Sequence, residues 1–231
     1  MKTIGVLGGM SWESTERYYR ALNEGVKAAR GGLHSAKVAL YSVDFAEIET
    51  LQRESRWDEA GERLAEAARR VQAAGADFLL LATNTMHRVA PAIEAAVEIP
   101  LLHIADATGE RLREDGVRRV GLLGTRFTME QAFYTDRLTA RFGIEALVPE
   151  AEARERVHRV IFEELCRGHV EPASKAEYLE IIADLHARGA EAVILGCTEI
   201  ALLVGQADTP VPLYDTTSLH AAEAVAMALN T

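Results

Sequence analysis

The sequence is poor in cysteine and has no long apolar run. Its 231 residues include only two cysteines, Cys166 and Cys197. This number excludes a disulfide-stabilised scaffold and favours a reducing compartment such as the cytoplasm. No apolar run approaches the roughly 20 residues that span a bilayer, and the first ten residues resemble a strand and a turn rather than a signal peptide. We therefore expect a cytoplasmic protein without a membrane anchor.

Positive charge is also scarce. The chain has 25 lysines and arginines against 35 acidic residues, a net charge of −10, and its pI is near 5.2. Nucleic acids and membrane surfaces normally require a basic face, so both are disfavoured as partners. The sequence contains no dinucleotide fingerprint, no phosphate-binding lysine motif and no serine-hydrolase elbow. The six histidines other than His87 show no ligand spacing with acids or cysteines, so the sequence does not support a metal site.

The residues that are abundant predict an α/β fold. Hydrophobic residues make up 48% of the chain, enough for a large core. Short apolar runs without polar alternation are typical of strands buried on both faces of a parallel sheet, and here they alternate with helical patterns. Strands are predicted at 3–7, 37–43, 78–82, 101–104, 119–123, 145–148, 192–195 and 211–214. Helices are predicted at 14–29, 57–74, 88–96, 128–142, 154–167, 175–188 and 218–229.

An internal repeat divides the chain. Three ordered matches relate its two parts, and their offset falls slowly from 116 residues (4 to 120) to 112 residues (100 to 212). The three matched segments are 4–8 with 120–124, 75–80 with 189–194, and 100–101 with 212–213, and the first offset also aligns Tyr18 with Tyr134. We predict two similar parallel-sheet halves, 1–115 and 116–231, related by a pseudo-two-fold axis with the active site in the cleft between them. The C-terminal helix could pack back on the first half.

The turns after the third strand of each half carry the most polar residues. The first turn contains Thr83-Asn84-Thr85 and the second Cys197-Thr198-Glu199, and the repeat places Thr83 and Cys197 at matching positions. A helix that began at the second turn would lower the pKa of Cys197 and make it a candidate thiolate. The alternative is a buried structural cysteine. Cys166 lies in a helical apolar pattern and is interpreted as a packing residue.

Two further features leave alternatives open. The small residues of Gly8-Gly9-Met10-Ser11 and of 124–128 could bring backbone N–H groups to an anion, or could simply form tight turns. His87 follows the Thr83 turn and is interpreted as a structural histidine or a weak helper of the cleft rather than a proton shuttle.

Four motifs together resemble the aspartate/glutamate racemase family. They are Ile4–Thr15, Val43-Asp44-Phe45, Asn84-Thr85-x-His87 and Gly196-Cys197-Thr198-Glu199. The similarity covers nearly the whole chain, and within the family it is greatest to the L-aspartate/glutamate-specific racemases. The resemblance implies a homodimer that uses no cofactor. It also implies two cysteines on opposite faces of the substrate Cα, one removing the α-proton and the other returning a proton.

The resemblance also assigns the site, with one departure from the family pattern. It makes Thr83 and Cys197 the catalytic pair, although the family has cysteine where this chain has Thr83. The substrate contacts that it implies are Met10, Gln52, Thr83, Asn84, Thr85, Cys197, Thr198 and Glu199. By itself, Gln52 looks like part of an exposed turn. The segment 162–165 carries acids where aspartate-specific members place basic residues, so aspartate, glutamate and less charged amino acids all stay open as substrates.

A threonine is a far weaker acid than a thiol, and three outcomes follow. Thr83 relays a proton between substrate and water, or the protein exchanges the α-proton of one enantiomer only, or it catalyses a one-cysteine reaction on a related acid. Hydantoin racemase and maleate isomerase activities fit the same scaffold, the latter with cysteine as a nucleophile. The alternative of a different class is a non-catalytic dicarboxylate-binding module, which would exchange no α-proton with solvent.

Overall fold

The computed structural model describes residues 1–230 and has eight strands and eleven α-helices in that range. The strands are β1 (Ile4–Gly8), β2 (Val38–Ser42), β3 (Phe78–Leu81), β4 (Leu101–Leu102), β5 (Arg119–Gly124), β6 (Glu145–Leu147), β7 (Ala192–Gly196) and β8 (Leu213–Asp215). The helices are α1 (Trp12–Arg30), α2 (Phe45–Arg53), α3 (Trp57–Ala73), α4 (Ala90–Glu94), α5 (Ile104–Glu114), α6 (Arg126–Glu130), α7 (Ala132–Phe142), α8 (Ala151–Glu163), α9 (Pro172–Ala187), α10 (Ile200–Leu203) and α11 (Thr216–Leu229).

The strands form two four-stranded sheets with the same order. One sheet runs β2-β1-β3-β4 and the other β6-β5-β7-β8. Every paired neighbour is parallel. The central strands β1, β3 and β7 are buried along their whole length, as the continuous apolar runs indicated. The predicted α/β class with two similar parallel-sheet halves is confirmed.

The chain divides into two compact units, and each contains a helix from the other half of the sequence. The first unit is Met1–Ile104 together with the residues from His220 onward, and the second is Ala105–Leu219. Helix α11 therefore belongs largely to the first unit, and α5, after Ile104, to the second. The sequence-based division at 115/116 placed α5 in the first half. The two divisions differ because the repeat marks sequence similarity, whereas a compact unit depends on which residues pack together.

Close contacts hold each of these helices in its unit. Gly25 of α1 lies against Val225 of α11, where an added Cβ would be 2.9 Å from a valine methyl. Gly109 of α5 lies against the ring of Phe142, where an added Cβ would be 2.4 Å away. In the second unit, Asp106 of α5 also accepts two hydrogen bonds from Arg137, at 2.6 and 2.7 Å.

Matching tyrosines occupy the core of each unit. Tyr18 and Tyr134, which the repeat aligns, are both fully buried. The Tyr18 hydroxyl lies 2.9 Å from Nδ1 of His220, whose Nε2 lies 2.8 Å from the Leu102 carbonyl. Since a carbonyl only accepts, Nε2 carries the hydrogen and Nδ1 accepts from the tyrosine. Burial lowers the pKa of His220 to about 4, so its ring is neutral.

Three predictions about local structure are wrong. Residues 45–53 form helix α2, so Gln52 is not in an exposed turn. Helix α5 was missed because β4 is only two residues long and leaves no clear boundary in the sequence. The single helix predicted at 128–142 is two helices, because Gln131 has an extended backbone (φ −101°, ψ 140°) that ends one and begins the next.

None of the helices in the range 1–230 has the length and apolar character needed to cross a membrane.

Candidate functional site

The turn after β1 is built around a glycine with a left-handed backbone. Gly9 has φ +93°, and an added Cβ would lie 2.2 Å from the Val43 carbonyl oxygen, so only glycine fits. Its amide donates to the Thr15 hydroxyl at 2.7 Å, and the Ser11 side chain caps α1 by accepting from Ser14 N at 3.3 Å. Because the Gly9 amide is bound within the protein, it does not point to an anion, and the tight-turn interpretation fits it better. Met10 is buried.

The turn after β3 buries three polar residues in a row. Thr83, Asn84 and Thr85 are 8%, 3% and 6% exposed. The Thr83 amide donates to the Leu81 carbonyl at 2.8 Å. Within residues 1–230, the Thr83 hydroxyl makes no hydrogen bond. This turn therefore holds its backbone in the protein while it leaves one hydroxyl available for a ligand.

His87 contacts the same turn through its ring. Nδ1 lies 2.7 Å from the Thr83 carbonyl oxygen, and the Ile104 amide donates to Nε2 at 3.2 Å. A second histidine, His103, lies with its ring centroid 4.3 Å from that of His87. His87 is 2% exposed. The sequence-based interpretation as a structural histidine or helper fits this position better than a proton shuttle does.

Gln52 is buried on the inner side of α2. It is 3% exposed, and its Nε2 donates to Sδ of Met86 at 2.9 Å. Met10 and Met86 belong to one apolar cluster of the first unit. A buried amide whose one shown partner is a weak sulfur acceptor is costly unless its other polar groups are bound, so Gln52 is a better candidate for a ligand contact than its sequence suggested.

The turn after β7 carries the thiol. Gly196 allows β5 and β7 to approach closely, since an added Cβ would be 2.9 Å from the Leu123 carbonyl oxygen. Cys197 is 8% exposed, and its Sγ donates to Oε2 of Glu199 at 2.9 Å. The Thr198 hydroxyl donates to the same oxygen at 2.6 Å. One carboxylate oxygen thus accepts from both preceding side chains.

The expected lowering of the Cys197 pKa is not found. Burial raises the pKa of this thiol well above its ordinary value, and the negative charge of Glu199 raises it further. The helix that follows, α10, has only four residues, so its dipole is small, whereas the carboxylate is in direct contact. Cys197 is therefore a thiol in this structure and not a preformed thiolate.

Two residues near Cys197 were not assigned to the site from the sequence. Cys166 is half-buried in a short 3₁₀ turn, Leu165–Arg167, rather than in an α-helix. Tyr178 of α9 is buried and donates to the Val157 carbonyl at 3.0 Å. Burial raises the pKa of the Tyr178 hydroxyl well above its ordinary value. In the sequence, Tyr178 has the helical spacing of an ordinary core residue, so its position near Cys197 could not be predicted.

The predicted site residues fall into two groups, which are described separately. The first unit holds Met10, Gln52, Thr83, Asn84 and Thr85, and the second unit holds Cys197, Thr198 and Glu199. All eight are buried.

No group of three or more histidine, cysteine or acidic side chains suited to a metal occurs in the described part of the chain.

The chain matches a protein family over most of its length. A model of the Asp/Glu/hydantoin racemases matches residues 7–224. The chain belongs to this family. The resemblance that the sequence motifs indicated is confirmed, and membership of the family implies an isomerase.

Solved structures support the same family and fold. A Yersinia pestis protein with a provisional assignment as an Asp/Glu racemase is 52% identical over the whole of both chains, with a TM-score of 0.93. An aspartate racemase homologue from Pyrococcus horikoshii OT3 is 34% identical over 99% of each chain, with a TM-score of 0.85. A broad specificity amino-acid racemase from Bacillus subtilis (strain 168) is 23% identical over 96% of both chains.

Proposed function

We propose that the protein is a cofactor-independent amino-acid racemase that interconverts L- and D-aspartate, L- and D-glutamate, or both. Cys197 and Thr83 are the catalytic residues, on opposite faces of the substrate Cα. One observation carries this proposal. The repeat gives each unit a buried turn at the carboxyl end of its third strand, with a thiol in one and an available hydroxyl at the matching position in the other. Family membership supports it.

The raised pKa of Cys197 suits the difficult step. The α-proton of an amino acid is very weakly acidic, so the base that removes it must be strong. A thiolate whose conjugate thiol has a raised pKa is a stronger base than an ordinary thiolate. Oε2 of Glu199, 2.9 Å from Sγ, is placed to take the thiol proton, and the thiolate formed then removes the α-proton. Glu199 afterwards releases its proton to solvent, where it combines with the hydroxide left when water re-protonates Thr83. In the reverse direction the thiol returns its proton to the carbanion.

Thr83 serves the other face. Its hydroxyl gives a proton to the carbanion and regains one from water, which makes it a relay rather than a resident base. Because a hydroxyl is seldom ionised near neutral pH, exchange on this face is the slower of the two. Hydrogen-bond donors around the α-carboxylate stabilise the carbanion electrostatically. Met10, Gln52, Asn84, Thr85, Thr198 and Glu199 complete the substrate contacts.

We propose aspartate and glutamate as substrates because the names of similar proteins refer to them. The names of the two similar structures refer to aspartate, or to aspartate and glutamate, whereas the Bacillus subtilis relative is named for broad specificity. We also propose, from the family resemblance, that the protein is a homodimer in the cytoplasm. Sedimentation at several protein concentrations tests the dimer, and a single monomeric species would contradict it.

Solvent isotope exchange tests the reaction. Proton NMR in D₂O follows the α-proton of L- and D-aspartate and of L- and D-glutamate separately, with the wild type, Cys197→Ser and the matched thiol control Cys166→Ser. We expect loss of the α-proton signal from both enantiomers of at least one substrate, retained in Cys166→Ser and abolished in Cys197→Ser.

Other outcomes of the exchange experiment would indicate a different function or a one-sided reaction. Exchange of one enantiomer alone means that Cys197 works and that Thr83 supports no return path. No exchange with any of the four contradicts racemisation. In that case a covalent mass addition of maleate at Cys197 would indicate an isomerase, and binding without chemistry would indicate a binding module.

A further inference from the structure

We propose that His87 is the positioning residue of Thr83, holding the catalytic hydroxyl in place through the Thr83 carbonyl group. This inference rests on the proposed function for the role of Thr83. The positioning itself rests on contacts within the first unit.

The hydrogen bonds of His87 define which ring nitrogen carries the proton. A backbone amide can only donate, so Nε2, which lies 3.2 Å from Ile104 N, must be an acceptor. An imidazole that accepts at Nε2 is neutral and carries its hydrogen on Nδ1. Nδ1 lies 2.7 Å from the carbonyl oxygen of Thr83, so that hydrogen is donated to Thr83. The hydrogen bond from the Ile104 amide therefore fixes the tautomer with hydrogen on Nδ1. Only this tautomer can donate a hydrogen bond from Nδ1 to the Thr83 carbonyl.

Thr83 is held at both ends of its backbone as a result. Its amide donates to the Leu81 carbonyl at 2.8 Å, which ties it to the end of β3. Its carbonyl accepts from His87, and the His87 amide in turn donates to the Asn84 carbonyl at 3.1 Å. With its amide and its carbonyl both bound, the residue has little freedom of φ and ψ, so the direction of its Cβ is set. The hydroxyl makes no hydrogen bond within residues 1–230, so its direction depends on this backbone.

The surroundings of His87 keep these bonds strong. His87 is 2% exposed and His103 is 4% exposed, and their rings lie 4.3 Å apart between centroids. Hydrogen bonds in such a water-poor environment are stronger than in solvent, and leaving one unmade is costly. His220 lies in the same cluster, 6.1 Å from His87 between ring centroids. It bonds to Tyr18 and Leu102 instead of Thr83, so it is a natural control.

Two substitutions separate the two bonds of His87. The side-chain amide of asparagine superimposes on Nδ1, so His87→Asn keeps the donor to the Thr83 carbonyl and loses the acceptor for Ile104. The side-chain oxygen of glutamine reaches the position of Nε2, so His87→Gln keeps the acceptor for Ile104 and loses the donor to Thr83. Both variants remove the imidazole ring from the same pocket, so the packing lost is similar in the two.

Exchange of the α-proton in D₂O is measured for each enantiomer, and Thr83→Val identifies the enantiomer whose exchange depends on Thr83. We expect His87→Gln to slow that exchange at least tenfold relative to exchange of the other enantiomer. His87→Asn should preserve the ratio of the two rates, and so should the control His220→Asn, even though it lowers stability. Equal ratios in His87→Gln and His87→Asn, or the same change of ratio in His220→Asn, would overturn the proposal.

A measurement without substrate separates this inference from the proposed function. Nitrogen-15 NMR of the His87 ring should show hydrogen on Nδ1, and the Thr83 carbonyl-carbon shift should move in His87→Gln more than in His87→Asn. Hydrogen on Nε2, or equal carbonyl shifts, would overturn the positioning role even in an active enzyme. If the wild type exchanges neither enantiomer, the proposed function fails, and these shifts alone decide whether His87 positions Thr83.

Discussion

The two units are alike in scaffold and differ in the group that they offer at the equivalent turn. Each has a four-stranded parallel sheet of the same order and a fully buried tyrosine on a helix between its first two strands, α1 in one unit and α7 in the other. The turn after the third strand carries Thr83 in one unit and Cys197 in the other. Thr83 is held by backbone hydrogen bonds with its hydroxyl available, whereas the Cys197 thiol is bound to Glu199. The shared scaffold thus puts Thr83 and Cys197 at equivalent positions, and the identity of each side chain determines how strong an acid the turn carries.

The largest expected effect comes from making the two turns chemically alike. A thiol is a much stronger acid than a hydroxyl and ionises far more readily, and general acid–base catalysis contributes about 10²–10⁴-fold to a rate. We therefore expect Thr83→Cys to raise exchange of the Thr83-dependent enantiomer by about 10²-fold, measured in D₂O by proton NMR. Thr85→Cys, two residues away, is the control and should give no increase. Unchanged or lost turnover in Thr83→Cys would count against a catalytic Thr83.

The next prediction concerns the carboxylate that only the second turn has. Burial raises the pKa of Cys197, and the charge and hydrogen bonding of Glu199 add to the shift. Removing the charge in Glu199→Gln leaves the burial but lowers the thiol pKa toward its ordinary value. At a given alkaline pH a larger fraction is then thiolate. The alkylation rate of Cys197 by iodoacetamide, plotted against pH in a Cys166→Ser background, should therefore rise at lower pH in Glu199→Gln. An unchanged or higher inflection would contradict this assignment.

The smallest effect distinguishes the two buried tyrosines. The Tyr18 hydroxyl donates to the ring of His220 at 2.9 Å, whereas the buried Tyr134 hydroxyl has the hydroxyl of Thr108 as its neighbour. Tyr18→Phe leaves Nδ1 of a buried histidine without its donor, which should lower the free energy of unfolding by about 1–2 kcal/mol. Tyr134→Phe, the matched control, should cost less or stabilise. Urea denaturation measures both, and an equal loss would show that the two positions are equivalent in energy.

Much of the fold was predictable because its signals are local. The strands of both sheets are short apolar runs, and all eight were placed from the sequence to within a few residues. The repeat that aligns Tyr18 with Tyr134 gave the two halves. The turns with Thr83 and Cys197 were found because polar residues directly after a buried strand are unusual, and four motifs indicated the family.

The rest depends on contacts between residues distant in sequence. Gln52 looked exposed because its segment is short, but helix α2 turns it toward Met86. The hydrogen bonds of His87 to Thr83 and Ile104 span 4 and 17 residues, and no pattern in the sequence marks the second.

The sequence by itself determined the fold class, the repeat, the family and the chemical identity of the two matching turns. Each of these depends on short patterns of residues that are close together in the sequence. Only the tertiary structure decided which unit contains α5 and α11, which ring nitrogen of His87 carries the hydrogen, and the protonation of Cys197. The last of these reversed the sequence-based expectation. A thiol's pKa follows from its burial and from the charges in contact with it, and these are fixed only when the chain has folded.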